Sequence, residues 1–356
     1  MSSAPPVDDP SSLSIRELYE LFLDAKQLEY TDETLRDYET RLRQFVEWAE
    51  GDERDIETAG ELTGWHLEQF RLYRQGQGLA PMTMKGQMQT LRVWLKYAAE
   101  IGAVEEMMPH RVQVPTPDQD EQTSDVMLEA DAAQALIEHY RDARVIYASE
   151  EHVSLELAWY TGARLGGLHA LDLEDYQPDE QYIQFKHRPP TVLKKKARGE
   201  RALRLPEEVC DVLDVYIVEV RVDIRDDQGR DPLLCSTQGR PTHSTIRNWI
   251  YHATIPCRHS PCPHDKHART CGWAERNEAH HCPSSRSPHQ VRTGSITWQL
   301  NRGLSYEEVA ERVNSDPDTL RRYYDKADDV EKMTRRRDLV DRLDFEPDDD
   351  SEDSDQ

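Results

Sequence analysis

The sequence predicts a mainly α-helical chain of two domains, with one small antiparallel sheet in the second. Three observations carry this. Apolar residues recur at three- and four-residue spacing through the first part of the chain, as in Leu35, Tyr38, Leu42, Phe45 and Trp48, which is the period of an amphipathic helix. Between Pro109 and Asp125 that period dissolves into a polar, proline-containing stretch, the composition of a linker. Beyond it, Gln181–Lys186 and Arg201–Leu205 alternate and are short, as strands of a hairpin do. At 356 residues the chain has room for a core in each domain.

Taken in order, Met1–Ser12 is rich in Pro, Ser and Asp and is expected to be disordered. Ser14 and Glu17 make a capping box ahead of Leu18, Leu21 and Phe22. A third helix is expected over Trp65–Tyr73, and a fourth over Met84–Ala99, entered through Pro81 and Thr83 and stopped near Gly102. This gives a helical domain over 13–108, a linker over 109–126 and a second domain over 127–345. In the second domain helical patterning resumes near Leu128, runs through Val153–Tyr160 and breaks at Thr161-Gly162. The two alternating segments follow, with Lys194, Lys195 and Lys196 on the turn between them. Further helices are expected at Glu208–Val220, Ser244–Ile255 and Glu331–Leu343, and the acidic tail 346–356 is expected to be disordered.

One insertion, 257–282, differs from the rest. Four of the six Cys, at Cys257, Cys262, Cys271 and Cys282, fall here with five His. Thiolates at such spacings can close a tetrahedral zinc shell, with His264, His267, His280 or His281 as substitute ligands. The alternative is a disordered polar insertion carrying free thiols. Four protein ligands leave no open position for water, so such a zinc would be structural, and zinc hydrolysis is disfavoured. Cys210 and Cys235 sit in apolar contexts and read as buried thiols.

No window is long and apolar enough for a membrane span and no targeting segment is recognisable, so a cytoplasmic location is expected. A net charge of −25 argues at first against a nucleic-acid partner. Yet 69 acidic residues stand against 44 basic ones, of which only ten are Lys. That make-up points to a halophilic protein kept soluble in very high salt, where a Debye length of about 3 Å at 1 M screens the acidic excess. Local basic clusters then matter more than the total: Lys194–Lys196 with Arg198, Arg321–Arg322 and Arg335–Arg337.

Four pieces stand in order along the second domain: Thr161-Gly162-Ala163-Arg164, a Lys on the hairpin turn, His289-x-x-Arg292, and Tyr323-Tyr324 in an Arg-flanked segment. His289 and Arg292 share one helical face. With a Tyr further on they form a cradle for a phosphodiester and its nucleophile. Singly each has a bland explanation: Arg164 as a helix-end cation, Lys194 as a solvated turn residue, His289 as a satisfied helix residue, Tyr324 as a packing aromatic.

In this order and spacing the pieces resemble the tyrosine recombinases, or phage-type integrases, of the haloarchaeal type. LAPMTMKGQMQTLRVWLKY is similar to the family's helical core-binding domain, TGARLGGLHALDLEDY to its first catalytic box, HRPPTVLKKKARGERALRLP to its Lys hairpin and SPHQVRTGSITWQLNRG to its second box. The cysteine cluster is similar to an insertion in haloarchaeal members. The resemblance implies an N-terminal core-binding domain and an α-rich catalytic domain with a small sheet. It implies that Arg164 and Arg292 grip the scissile phosphate with His289 in support. Lys194 matches the general acid best, with Lys195 and Lys196 as alternatives, and Tyr324 matches the nucleophile better than Tyr323. It further implies double-stranded DNA as partner, contacts from Lys85, Lys195, Lys196 and Arg198, and a homotetramer on DNA, with no cofactor for catalysis. Two departures stand out: Gly167 occupies the place of an acidic residue, and Ser315 that of a His or Trp. They leave open a catalytically impaired DNA-binding regulator on the same scaffold.

Overall fold

A computed structural model describes residues 9–51, 54, 56–118 and 125–335. The expectations for residues 1–8, the end of the linker, Arg336, Arg337, the distal part of the Glu331–Leu343 helix and the acidic tail lie outside the described residues. The chain divides into two compact units, Met1–Ser124 and Asp125–Gln356. No helix among the described residues is long and apolar enough to cross a membrane.

The first unit is four helices, α1 (Ile15–Lys26), α2 (Asp32–Ala49), α3 (Gly64–Gly76) and α4 (Pro81–Glu100). Their starts follow from local chemistry. The Ser14 hydroxyl accepts from the Glu17 N–H while the Glu17 carboxylate accepts from the Ser14 N–H at 2.9 Å. Pro81 sits in the first turn of α4, where its missing N–H has no intrahelical role. The apolar stripes meet in an aromatic core in which the Phe45 ring lies 5.0 Å from Phe70 and 5.5 Å from Trp94. Each buried Phe contributes about 1.5–3 kcal/mol. Order begins earlier than the composition of the first residues predicts: Pro10–Ser12 form a turn capped by Asp9, and Leu13 is buried. Packing also continues past Met108, because Val112 is buried and its carbonyl accepts from Arg92 at 2.6 Å.

The second unit is built around α6 (Glu150–Thr161), which follows α5 (Ala130–Asp142) and is buried on nearly every side. Two of its buried polar residues are paired: His152 accepts from the Ala148 N–H at 3.0 Å and meets Glu156 at 3.1 Å, and Arg141 donates to Glu156 at 2.8 Å; the buried Ser154 hydroxyl has no hydrogen-bond partner. After α7 (Leu165–Ala170) comes a three-stranded antiparallel sheet, β1 (Tyr176–Gln177), β2 (Tyr182–Phe185) and β3 (Arg201–Arg204), in that spatial order. Ile183 pairs with Leu203 and Phe185 with Arg201. Helices α8 (Glu207–Val215), α9 (His243–Ala253), α10 (Pro288–Asn301), α11 (Tyr306–Val313) and α12 (Asp329–Thr334) complete the unit, with a wide turn at Leu320–Tyr324 before α12. Helix α10 packs on α6 and on the segment before α5 at close range. A Cβ at Gly294 would lie 3.1 Å from the Trp159 ring of α6 and 1.9 Å from the Leu128 carbonyl oxygen, so the approach requires glycine.

Candidate active site

Helix α6 ends where Gly162 takes a left-handed conformation (φ +55°), which only glycine adopts freely. That turn delivers Arg164 to the start of α7, from where its guanidinium donates to the Asn314 carbonyl at 2.5 Å. Helix α10 opens with Ser287 as cap and Pro288 in its first turn. One turn later it carries His289 and Arg292 on one side. Arg292 is 1% exposed. Its Nη1 donates to the carbonyls of Gly162 and Val313, the latter at 2.8 Å, while Nε and Nη2 are buried without a hydrogen-bond partner.

The turn after α11 brings Tyr324 to the same place. Its ring, 7% exposed, is 5.6 Å from the His289 ring, and the Arg292 guanidinium carbon lies 5.3 Å from the Tyr324 ring centre. Tyr323 stacks instead with Arg322 at 5.2 Å. The hairpin loop is held by Arg188, which grips Asp175 at 2.6 and 2.8 Å, and by buried Leu193, whose N–H donates to His187. Lys194 is exposed on that loop, close enough that its charge acts on His289. Lys195 donates to the Ser315 carbonyl and to Asp316, both at 3.1 Å. Lys196 and Arg198 are exposed on the same loop, and Lys85 is half-buried on α4 of the first unit.

Two further cations join this group, and the sequence reading missed both. Arg201 at the head of β3 donates to the carbonyls of Arg312 at 2.5 Å and Gly199 at 3.1 Å, and lies over the Phe185 ring at 4.1 Å. Arg312 donates to Gln299 at 2.8 Å and to the Tyr160 carbonyl at 3.1 Å. The strand's period held the signal for Arg201. It falls on the same face as buried Leu203 and Leu205, an inward position that an Arg seldom takes without a partner. Among the described residues no carboxylate pairs with Arg164, Arg201, Arg292 or Arg312. Burial pushes Arg292 down to about 10, with repulsion from Arg164 adding to it. It pushes Arg201 down to about 9, with Arg292, Arg164 and Arg312 adding. His289 is held below the ordinary imidazole range by partial burial and by the charges of Arg292, Arg164 and Lys194, although the residue as a whole is exposed. A cluster of guanidiniums without carboxylate partners is the electrostatic form of an anion site.

Gly167 is buried against Phe185 and Ala163. The Ser315 hydroxyl is buried with no hydrogen-bond partner. Cys257, Cys262, Cys271 and Cys282 are free thiols. Burial raises the Cys257 thiol and the three other cysteines add to it, so the four share one neighbourhood. Among the described residues, however, no three His, Cys, Asp or Glu are grouped to hold a metal ion.

No protein-family model matches the chain, and no curated protein matches it. Solved structures do. An integrase of the transposon Tn1549, in complex with a circular intermediate DNA, is 16% identical over 94% of this chain and 100% of its own, with a TM-score of 0.63. A lambda integrase dimer bound to a COC′ core site is 12% identical over 98% of this chain and 81% of its own, with a TM-score of 0.58. The chain shares its fold with these two integrases. The N-terminal domain of a phage integrase/site-specific recombinase from Haloarcula marismortui is 44% identical over 29% of this chain and 98% of its own, with a TM-score of 0.28. The integrase fold accounts for the helical second unit with its three-stranded sheet.

Proposed function

We propose that the chain is a site-specific DNA recombinase that cuts and rejoins strands through a 3′-phosphotyrosyl intermediate. The observation that carries the reading is Arg292, buried beside the Tyr324 ring with two unpaired N–H-bearing nitrogens, in a group of guanidiniums that no carboxylate among the described residues neutralises. A buried cation is strongly disfavoured unless an anion completes it. A phosphodiester is an anion whose oxygens suit the planar guanidinium fork.

In this reading Arg164 and Arg292 hold the two non-bridging oxygens, and Arg201 adds positive potential behind them. The Tyr324 oxygen attacks phosphorus, its proton passing to solvent, and the surrounding cations favour the negative charge that develops. His289 borders the phenol and supports the phosphate. The P–O5′ bond breaks and Lys194 protonates the departing oxygen, leaving a 3′-phosphotyrosyl ester and a free 5′-hydroxyl. Attack by a 5′-hydroxyl of another duplex reverses the step and exchanges strands, with no nucleotide consumed. Double-stranded DNA is the partner, contacted by Lys85, Lys195, Lys196 and Arg198, and a homotetramer on DNA is the working assembly. One solved relative in fold is a lambda integrase tetramer bound to a Holliday junction.

The test is incubation in molar KCl with a nicked suicide duplex bearing the chain's own site, read as an SDS-resistant protein–DNA adduct. Wild type is expected to form it and Tyr324→Phe to lose it. An adduct that persists in Tyr324→Phe overturns the nucleophile. DNA binding without any wild-type adduct favours the DNA-binding regulator, a reading that Gly167 and the unpartnered Ser315 hydroxyl keep in view.

A further inference from the structure

The last turn of an α-helix leaves its final carbonyls without intrahelical donors. At the end of α11 two are closed in the usual manner. Ser315 N–H donates to the Ala310 carbonyl at 2.9 Å and Asn314 N–H to that of Glu311 at 3.3 Å, a pairing that requires the left-handed conformation Asn314 adopts (φ 52°, ψ 61°). The next four carbonyls in sequence then each take one cation. Arg312 O accepts from Arg201 at 2.5 Å, Val313 O from Arg292 at 2.8 Å, Asn314 O from Arg164 at 2.5 Å, and Ser315 O from Lys195 at 3.1 Å. These cations arrive from β3, α10, the start of α7 and the hairpin loop, and they have no other element in common.

We propose that residues Arg312–Ser315 are the frame that positions the cations of the phosphate pocket, with Asn314 as its positioning residue; this rests on the recombinase reading of the pocket. A carboxylate would orient a guanidinium and neutralise it. A main-chain carbonyl at the negative end of a helix orients it and leaves the net charge available to an incoming anion. This accounts for Gly167: the orienting partner of Arg164 is the Asn314 carbonyl rather than an acidic side chain three residues on. Asn314 also couples the frame to the hairpin loop, since a Cβ at Gly199 would lie 2.4 Å from the Asn314 side-chain nitrogen. A left-handed turn at 314 is open to Asn and Gly and strained for a β-branched residue.

The experiment compares Asn314→Val, Asn314→Gly and Gly199→Ala with wild type in molar KCl. Two readouts are taken: affinity for inorganic phosphate by calorimetry, and the rate of adduct formation on the suicide duplex. Asn314→Val is expected to weaken phosphate binding and slow the adduct by about 10- to 100-fold, the scale of a misplaced catalytic group, with duplex affinity little changed. Asn314→Gly keeps the left-handed turn and is expected to lose markedly less than Asn314→Val in both readouts. Asn314→Val matching wild type in both readouts, or Asn314→Gly losing as much as Asn314→Val, overturns the frame. If Asn314→Val does not fold, Gly199→Ala decides: reduced phosphate affinity with retained duplex binding supports the frame, and unchanged affinity overturns it. If wild type forms no adduct while phosphate affinity follows the expected order, the recombinase reading fails and the frame stands. If wild type binds no phosphate, the frame is overturned.

Discussion

Arg292 and Arg201 are the residues whose environment departs most from ordinary surface chemistry. Each is held by main-chain carbonyls, and neither meets a carboxylate among the described residues. Such a pair raises the potential of the cleft wherever the phosphate's own negative charge is absent. Arg201→Gln should therefore slow adduct formation by about 10²-fold, comparable to removing one donor to a developing oxyanion, while duplex affinity stays near wild type. Single-turnover adduct kinetics alongside a filter-binding titration check this, and an unchanged rate would remove Arg201 from the site. Arg164, His289, Arg292 and Tyr324 are legible in the sequence because each sits in a short motif at a fixed offset. Arg201 is legible only as an inward-facing residue of the alternating strand, because nothing in its neighbours says that β3 turns this face toward the carbonyls at the end of α11.

Among the elements, α6 is legible from its apolar run ending at Thr161-Gly162, and the hairpin from its alternation. Helix α7 and strand β1 are not, since six and two residues respectively give no period to read. The cysteine insertion belongs at this scale too. Its four thiols share one neighbourhood without a ligand set drawn together, and we propose that a structural zinc closes them, because a loop of this composition has little core of its own. Metal analysis of purified protein should give close to one equivalent of zinc, lost when Cys257 and Cys262 are both replaced by Ser. Well under one equivalent in the wild type would sink the proposal.

For the molecule as a whole, a net charge of −25 repels itself in dilute salt. Screening lengths fall from about 10 Å at 0.1 M to about 3 Å at 1 M. Thermal unfolding should therefore move to higher temperature as KCl rises from tenths-molar to several molar. Duplex binding should persist in molar KCl where a surface-charge contact alone would fail. Scanning calorimetry across a KCl series checks the first, and a melting temperature that does not move with salt contradicts it. The acidic surface and the cation cluster are separate features. The first is spread over much of the sequence, whereas the second is gathered from Arg164, Lys195, Arg201 and Arg292, which no contiguous stretch contains.

The helical class, the small sheet and the motif residues that a recombinase reading needs can be read from the chain alone, because periodicity, caps and short motifs are local properties. The packing of distant elements places Tyr324 rather than Tyr323 against His289 and Arg292. It alone brought in Arg201, and it alone set four cations on four successive carbonyls at the end of α11. The reason is physical: a carbonyl left free by a helix end is invisible in the side-chain code, and its partner is chosen by whichever distant element the fold packs beside it.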